Sequence, residues 1–280
     1  SNRSQLVQIG EARSKVRQLT VGTPQGSAIS CLIFAIFVAD IEQWTSKGRI
    51  IMYADDSFIT VEADSEEDLI PLLETEGEKV LDFFTANGMV ANPEKSALLI
   101  IRPSKKKSNN GMCEVKLYGK VVRESTSEKL LGIHIAADMK WDKQIETLTS
   151  DVAYRVSQIR RLRYSLSKKD MCTIANGIVN SKLRYGLAVF GAEMLRLNES
   201  DPMSSNLHTL QVKQNDMMRA ICGLKIVDKV PIGNLLLDCG MQSINQMIAY
   251  SILMEMWKAR NLGVPFLDTI LYKPKNSRNG

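Results

Sequence analysis

The sequence has few histidines and no closely spaced cysteines. Its two histidines are His134 and His208. Its five cysteines are scattered along the chain: Cys31, Cys113, Cys172, Cys222 and Cys239. Structural zinc sites need clustered Cys and His ligands, and a disulfide framework needs an even set of cysteines. The sequence therefore argues against both, and thiols of this kind favour an intracellular location, in the nucleus or the cytoplasm.

Long apolar runs and hydrolase motifs are also lacking. The longest nearly apolar run covers residues 28–39 and ends at Asp40, whereas a membrane helix needs about 20 apolar residues. The N-terminus shows no signal-peptide pattern. The chain contains no Gly-x-Ser-x-Gly motif, and two histidines give little support to a histidine-based hydrolase. We expect no membrane among the partners of this protein.

The chain has the composition of a globular protein, with an uneven distribution of charge. Of its 280 residues 44% are hydrophobic and 24% are charged, which is ordinary for a folded domain. Residues 1–137 hold 16 Lys and Arg against 18 Asp and Glu, whereas residues 138–280 hold 20 against 13. An acidic half joined to a basic half suits an enzyme that binds nucleic acid. A basic helical domain that is merely soluble is the alternative.

An acidic tetrapeptide, Tyr53-Ala54-Asp55-Asp56, lies between two apolar segments. The flanking residues 50–52 and 58–61 predict short strands, and the tetrapeptide predicts the turn between them. Two adjacent carboxylates at a turn are costly unless a cation binds them, and oxygen ligands suit Mg²⁺. The alternative is that Asp is simply a common turn residue.

Three further blocks accompany the tetrapeptide in a characteristic order. They are Gly-Thr-Pro-Gln-Gly at 22–26, Asn-Gly-Met-Val-Ala-Asn-Pro-Glu-Lys at 87–95 and Lys-Leu-Leu-Gly-Ile at 129–133. In this order and at this spacing, the four blocks resemble the second half of a reverse-transcriptase palm of the non-LTR, LINE-like retrotransposon family. The segment that follows Trp141 resembles the helical thumb of such enzymes.

The resemblance and the periodicity together predict an α+β fold. We expect a partial reverse-transcriptase palm, an antiparallel sheet with packed helices, followed by an all-helical thumb. The predicted domains are the C-terminal portion of the palm at 1–137, the thumb at 138–225, and a helical extension with a basic tail at 226–280. Apolar residues change from a period of two to about 3.6 near Trp141, which marks the transition to helices.

Local patterns predict the individual elements. The predicted helices cover 27–44, buried almost all round and capped by Ser27, then 69–86 beginning near Pro71, a long helix after Trp141, and helices at 206–222 and 243–260. The predicted strands form a hairpin within 4–21, the pair around the acidic turn, an apolar strand at 97–101, and segments 115–122 and 130–136. Ser167 and Asp170 form a capping-box pattern.

Roles for individual residues are carried over from the family. Asp55 and Asp56 match the metal-binding, catalytic aspartates, so the implied cofactor is Mg²⁺ or Mn²⁺. The implied nucleotide-binding residues are Gln25, Gly26, Tyr53 and Lys95. Leu131 and Gly132 match the block that supports the primer end. For each of these, an ordinary turn, loop or solvated side chain is the structural alternative.

Basic residues cluster where the first long helix meets the next. Nucleic-acid binding is predicted for Arg160, Arg161, Arg163, Lys168 and Lys169, because cations at a helix junction are well placed to hold phosphates. A solvated edge of the helical bundle is the alternative.

One part of a two-metal polymerase site is not found in the sequence. In the family another aspartate comes from a strand well before the Gly22 loop, and here only 21 residues precede Gly22. We therefore expect this piece to be inactive alone and to need the upstream fingers and first palm segment of the same polyprotein. The remaining expected partners are an RNA template, a DNA primer and deoxynucleotide triphosphates.

Two alternatives to a reverse transcriptase remain open. One is a domesticated, catalytically dead palm–thumb module that binds RNA or protein as a scaffold. The other is an RNA-dependent RNA polymerase, although RNA-virus polymerases usually carry Gly where this sequence has Ala54.

Overall fold

The structure divides into two compact units. A computed structural model describes residues 3–20, 22–24, 26–92, 95–103, 112–198 and 200–262. The first unit contains the described residues between 3 and 98 together with 112–125. The second contains 99–103 and the described residues between 126 and 262. Strands and helices mix in the first unit and helices dominate the second, so the α+β class is confirmed. The functional borders at 137 and 225 stay predictions.

The strands of the first unit form antiparallel pairs. The bounds are β1 Arg3–Gln5, β2 Gln8–Ile9, β3 Ala12–Arg13, β4 Arg17–Leu19, β5 Arg49–Tyr53, β6 Asp56–Thr60, β7 Glu114–Leu117 and β8 Lys120–Arg123. Strand β1 pairs with β4, and β2 pairs with β3, so the hairpin predicted within 4–21 is confirmed. The pairs β5–β6 and β7–β8 are hairpins as well. Within the described residues each sheet has two strands rather than extending into one larger sheet.

The predicted helix 27–44 is shorter than expected and is not buried. Helix α1 runs from Ser30 to Phe37, and none of its residues is buried. Leu32 is 61% exposed and Ile36 68% exposed, so the prediction of a helix packed almost all round was wrong. An apolar composition indicates that a helix face is suited to burial. Burial also requires another element that packs against that face, and the composition does not show whether one is present. Ser27 is not the cap either, because its backbone forms the preceding turns.

Helix α2, Glu66–Ala86, begins earlier than predicted. The Ser65 hydroxyl accepts the Asp68 amide at 3.1 Å and caps the helix. Acidic residues fill the first turn, where they interact favourably with the positive end of the helix dipole. Pro71 lies inside the helix and removes one backbone hydrogen bond. The cap and the acidic turn offset that loss, so the predicted start near Pro71 was wrong by about one turn.

A small core connects α2 to the β5–β6 hairpin. Val80 and Phe83 of α2 pack with Ile50 of β5, and Trp44 meets the Phe83 ring edge-on at 5.7 Å between centroids. The strand predicted at 97–101 is not formed. Only an isolated bridge between Leu98 and Glu124 is present, because no longer partner strand lies beside this segment in the described residues.

The second unit is one hairpin followed by helices. Its elements are β9 Ser127–Leu130, β10 Ile133–Ala136, α3 Asp142–Leu162, α4 Lys168–Ala175, α5 Ser181–Arg184, α6 Leu187–Phe190, α7 Ser205–Cys222, α8 Ile232–Cys239 and α9 Ile244–Leu262. No strand occurs among the described residues after Ala136. The long helix after Trp141 and the helices near 206–222 and 243–260 are confirmed. The short helices α6 and α8 were not predicted, because eight residues or fewer show little periodicity.

The core of the second unit is formed where α3 packs against α7. Ile145, Val152 and Ile159 recur at helical spacing along α3 and are buried. Leu210 and Met217 of α7 are fully buried in the same cluster. This continuous apolar core holds the helix ends in place, including the basic end of α3.

A π-helical segment, Asn176–Asn180, interrupts the path from α4 to α5. Arg155 of α3 donates from Nη1 to the Ile178 carbonyl at 3.2 Å and pairs with Asp151 at 3.0 Å. This hydrogen bond from Arg155 connects the segment to α3, and the ion pair with Asp151 within α3 orients the arginine. No helix of the described residues has both the length and the apolar character needed to cross a membrane.

Candidate functional site

The β5–β6 hairpin presents the two aspartates at its tip. Strand pairing runs from Arg49 with Thr60 to Tyr53 with Asp56, so Ala54 and Asp55 form the two-residue loop. Ala54 has a φ of +53°, the left-handed conformation that such tight hairpin loops require. Asp56 is the first residue of β6 and pairs with Tyr53. The turn predicted from the sequence is confirmed.

The two carboxylates are exposed and have no protein partner. Neither Asp55 nor Asp56 forms an ion pair or a side-chain hydrogen bond with any residue that the structure describes. Their oxygens are the ligand type that Mg²⁺ and Mn²⁺ prefer, and Mg²⁺ is commonly held by one or two carboxylates plus substrate phosphates. No group of three or more His, Cys, Asp or Glu residues that could hold a metal ion occurs in the described part of the chain. The hairpin thus matches such an ion in ligand type and supplies only part of its coordination.

The predicted nucleotide-binding residues are spread over several loops. Tyr53 is exposed and lies beside the aspartates on the hairpin. Gly26 has a φ of +78°, which favours glycine, and stands in the turn before α1. Lys95 is exposed and its amide bonds the Asn92 carbonyl at 3.1 Å. Gln25 lies outside the described residues. The structure places Tyr53 next to the aspartates on the hairpin, and the nucleotide-binding roles of all four residues stay predictions.

The predicted primer-supporting residues form a tight turn. Leu131 and Gly132 connect β9 to β10 with φ values of +46° and +87°. The Tyr185 hydroxyl donates to the Leu131 carbonyl at 2.5 Å. A Cβ at position 132 would lie 3.3 Å from the Tyr185 ring. Tyr185 therefore holds this turn in place, and no periodic signal in the sequence pointed to it.

The five predicted nucleic-acid-binding residues are exposed around the α3–α4 junction. Arg160 and Arg161 end α3, and Arg163 follows directly. Lys168 and Lys169 begin α4, where Ser167 caps the helix by accepting the Asp170 amide at 3.2 Å. Lys168 approaches Asp238 at 3.9 Å, a long and exposed pair. The capping box is confirmed, and the five residues form one basic surface region.

Comparisons with known proteins agree with this geometry. A family model described as reverse transcriptase (RNA-dependent DNA polymerase) matches residues 2–135, which include the acidic hairpin. Residues 2–135 are thus similar to the reverse transcriptase family. The chain is also 25% identical over 233 residues to the RNA-directed DNA polymerase from mobile element jockey of Drosophila melanogaster. That alignment covers 78% of this chain, so the similarity extends into the helical unit.

The two matches confirm the resemblance to a LINE-like reverse transcriptase. The chain spans 23% of the length of the jockey protein. The activity, substrates and partners of the whole protein are therefore proposals.

A supporting residue of the acidic hairpin was missed in the sequence. Glu76 of α2 is buried and accepts hydrogen bonds from the Ser46 amide at 2.8 Å and the Gly48 amide at 3.1 Å. Lys79 pairs with it at 2.6 Å. Burial by itself would raise the pKa of Glu76, but these bonds outweigh burial and lower the pKa to about 2. Glu76 thereby fixes the segment that leads directly into β5.

Proposed function

We propose that this chain is part of an RNA-directed DNA polymerase that copies RNA into DNA. The observation that carries the proposal is the hairpin tip with two adjacent exposed carboxylates, Asp55 and Asp56, inside a segment of the reverse transcriptase family. The reaction is attack of a primer 3′-hydroxyl on the α-phosphate of a deoxynucleotide triphosphate, which forms a phosphodiester bond, breaks the bond to the β-phosphate and releases pyrophosphate. Catalysis of this kind depends on positioning and on charge stabilisation.

Each candidate residue has a role in this proposal. Asp55 and Asp56 hold Mg²⁺ or Mn²⁺, with Asp55 the more direct ligand. A bound ion would lower the pKa of the primer hydroxyl and neutralise the charge that develops on phosphate. The remaining roles divide between the nucleotide, bound by Gln25, Gly26, Tyr53 and Lys95, and the primer end, supported by Leu131 and Gly132.

The proposed partners are an RNA template, a DNA primer, deoxynucleotide triphosphates, and the fingers and first palm segment of the same polyprotein. In this arrangement residues 1–137 are palm, 138–225 thumb and 226–280 an extension. The hairpin supplies two carboxylates from one segment. A two-metal site requires carboxylates from more than one segment, so the proposal includes further protein ligands from the upstream palm. The intracellular location stays a prediction.

A primer-extension assay on an RNA template tests the proposal. We expect no extension by residues 1–280, extension by a version that includes the upstream polymerase segments, and loss of extension in that longer protein with Asp55→Asn. Asp40→Asn is the matched control, because Asp40 is an exposed carboxylate in the same unit. Activity that survives Asp55→Asn would remove this hairpin from the metal site. A longer protein that binds RNA but never extends a primer would favour the scaffold alternative.

A further inference from the structure

A cavity of about 400 Å³ lies between the C-terminal ends of α3 and α7. Its volume is within the range of roughly 300–1,000 Å³ that is typical of ligand pockets. Its charged and aromatic lining consists of Arg160, Arg163, Tyr164, Asp216, Arg219 and Lys225. Four cations face one carboxylate, so the cavity carries a surplus of positive charge.

The cations of the cavity lack sufficient acceptors. The Arg219 side chain is only 19% exposed, and its buried Nε has no hydrogen-bond partner among the described residues. Its nearest carboxylate, that of Asp216, is 3.9 Å away, at the limit of an ion pair. The Nε is enclosed by protein, so an anion in the cavity would be bound by the exposed part of the guanidinium, for which the distant Asp216 is a weak competitor.

The backbone positions Arg163 at the edge of this cavity. Gly223 ends α7 with a φ of +75°, and a Cβ there would lie 2.6 Å from Arg163 Nη2. The guanidinium therefore lies directly against the backbone of Gly223. It also lies 5.5 Å from the centre of the Tyr164 ring, which is 86% exposed. A donor fork and an exposed aromatic ring thus stand side by side.

We propose that this cavity binds one backbone phosphate of a single-stranded nucleic acid, while Tyr164 stacks on the neighbouring base. Arginine forks match phosphate oxygens, and aromatic rings with adjacent cations are typical of single-strand binding sites. The proposal deepens the polymerase function and rests on it, because the strand would be the template or the primer. Cations at helix C-termini are also favoured by the helix dipole, which explains their charge but not the exposed aromatic ring beside them.

Fluorescence anisotropy with a labelled 15-nucleotide single-stranded RNA tests the subsite in the 280-residue chain. Arg163→Gln and Lys225→Gln each remove one cation of the cavity, and Arg260→Gln is the matched control, because Arg260 is an exposed arginine of α9 outside the lining. We expect each cavity variant to weaken binding roughly fivefold or more, and the control to weaken it about twofold or less, as expected for loss of general attraction. Circular dichroism checks the fold of these exposed variants. Equal losses in Arg260→Gln and Arg163→Gln would overturn the subsite in favour of diffuse attraction.

The stacking step has its own control. Tyr164→Ala should weaken RNA binding roughly fivefold or more, in the range of aromatic–base stacking, whereas Tyr154→Ala on the exposed part of α3 should not. An abasic strand of the same length should bind wild type and Tyr164→Ala equally. A different outcome would be that inorganic phosphate binding depends on Arg163 while RNA affinity is the same in wild type and Tyr164→Ala. This outcome would overturn the nucleic-acid assignment in favour of a free-anion site.

Failure of the subsite and failure of the polymerase proposal are distinguishable. Primer extension by the longer protein with unchanged RNA affinity in Arg163→Gln would overturn the subsite and leave the polymerase standing. Cavity-dependent RNA binding without extension by the longer protein would support the subsite and overturn the polymerase.

Discussion

Replacing Glu76 by Gln tests whether one buried carboxylate anchors the segment before the acidic hairpin. Glu76 is 1% exposed, and its two oxygens accept bonds from the Ser46 amide and hydroxyl, the Gly48 amide and Lys79. Gln preserves the shape but removes the charge, and its amide NH₂ must then face other donors. We therefore expect Glu76→Gln to destabilise the first unit.

The pKa of Glu76 sets the expected magnitude. Each pKa unit corresponds to about 1.4 kcal/mol, so a fall of the pKa from 4.5 to about 2 corresponds to about 3 kcal/mol at pH 7. Because the folded-state pKa is lowered, this stability is fully present above pH 4.5 and is lost as the pH falls toward 2. At pH 3 more than half of it should be lost.

Hydrogen exchange of residues 44–50 and urea unfolding at pH 7 and pH 3 measure the effect. Glu76→Gln should expose the amides of Ser46 and Gly48 to exchange, and its difference from wild type should shrink at pH 3. Glu67→Gln is the control, since Glu67 is an exposed residue of the same helix. That control should cost less than about 0.5 kcal/mol. Equal losses in the two variants, or a difference that is independent of pH, would refute the reasoning.

Three further predictions concern the second unit. Ser167→Ala removes the cap of α4 and should cost about 1 kcal/mol in urea unfolding; no loss would contradict the capping role. Gly186 has a φ of +69° and a Cβ there would overlap Ile133, so Gly186→Ala should destabilise by more than about 1 kcal/mol, whereas Gly177→Ala, with open space around its Cβ, should not. Tyr185→Phe should speed hydrogen exchange in residues 130–133, since the bond to the Leu131 carbonyl is lost; unchanged exchange would show that the hydroxyl does not hold this turn.

Local signals in the sequence were sufficient for several elements. The alternation of apolar residues around Tyr53-Ala54-Asp55-Asp56 predicted a hairpin, and pairing of Tyr53 with Asp56 confirmed it. The helical spacing after Trp141 predicted α3. Ile145, Val152 and Ile159 recur every seven residues, about two helical turns, and all three are buried. In both cases the residues that produce the sequence pattern also form the element, and all of them lie within one short segment of the chain.

Other features depend on partners that are distant in the sequence. Helix α1 is apolar, yet its burial depends on what packs against it, and none of its residues is buried in this structure. Segment 97–101 has the composition of a strand, but a strand forms only where a second one supplies hydrogen bonds. The composition of a segment indicates that it is suited to burial or strand pairing, but it does not identify the segment that would pack or pair with it.

The sequence by itself determined the α+β class, the acidic turn of Asp55 and Asp56, and the resemblance to reverse transcriptases, because these depend on residue order within short blocks. Only the tertiary structure decided that Glu76 supports the hairpin segment, that Tyr185 holds the Leu131 turn, and that Arg163 and Arg219 share one cavity. These pairs are separated by 28 to 56 positions in the chain. Packing of helices and strands brings such residues together, and that packing follows from the shape and chemistry of whole surfaces rather than from any local pattern.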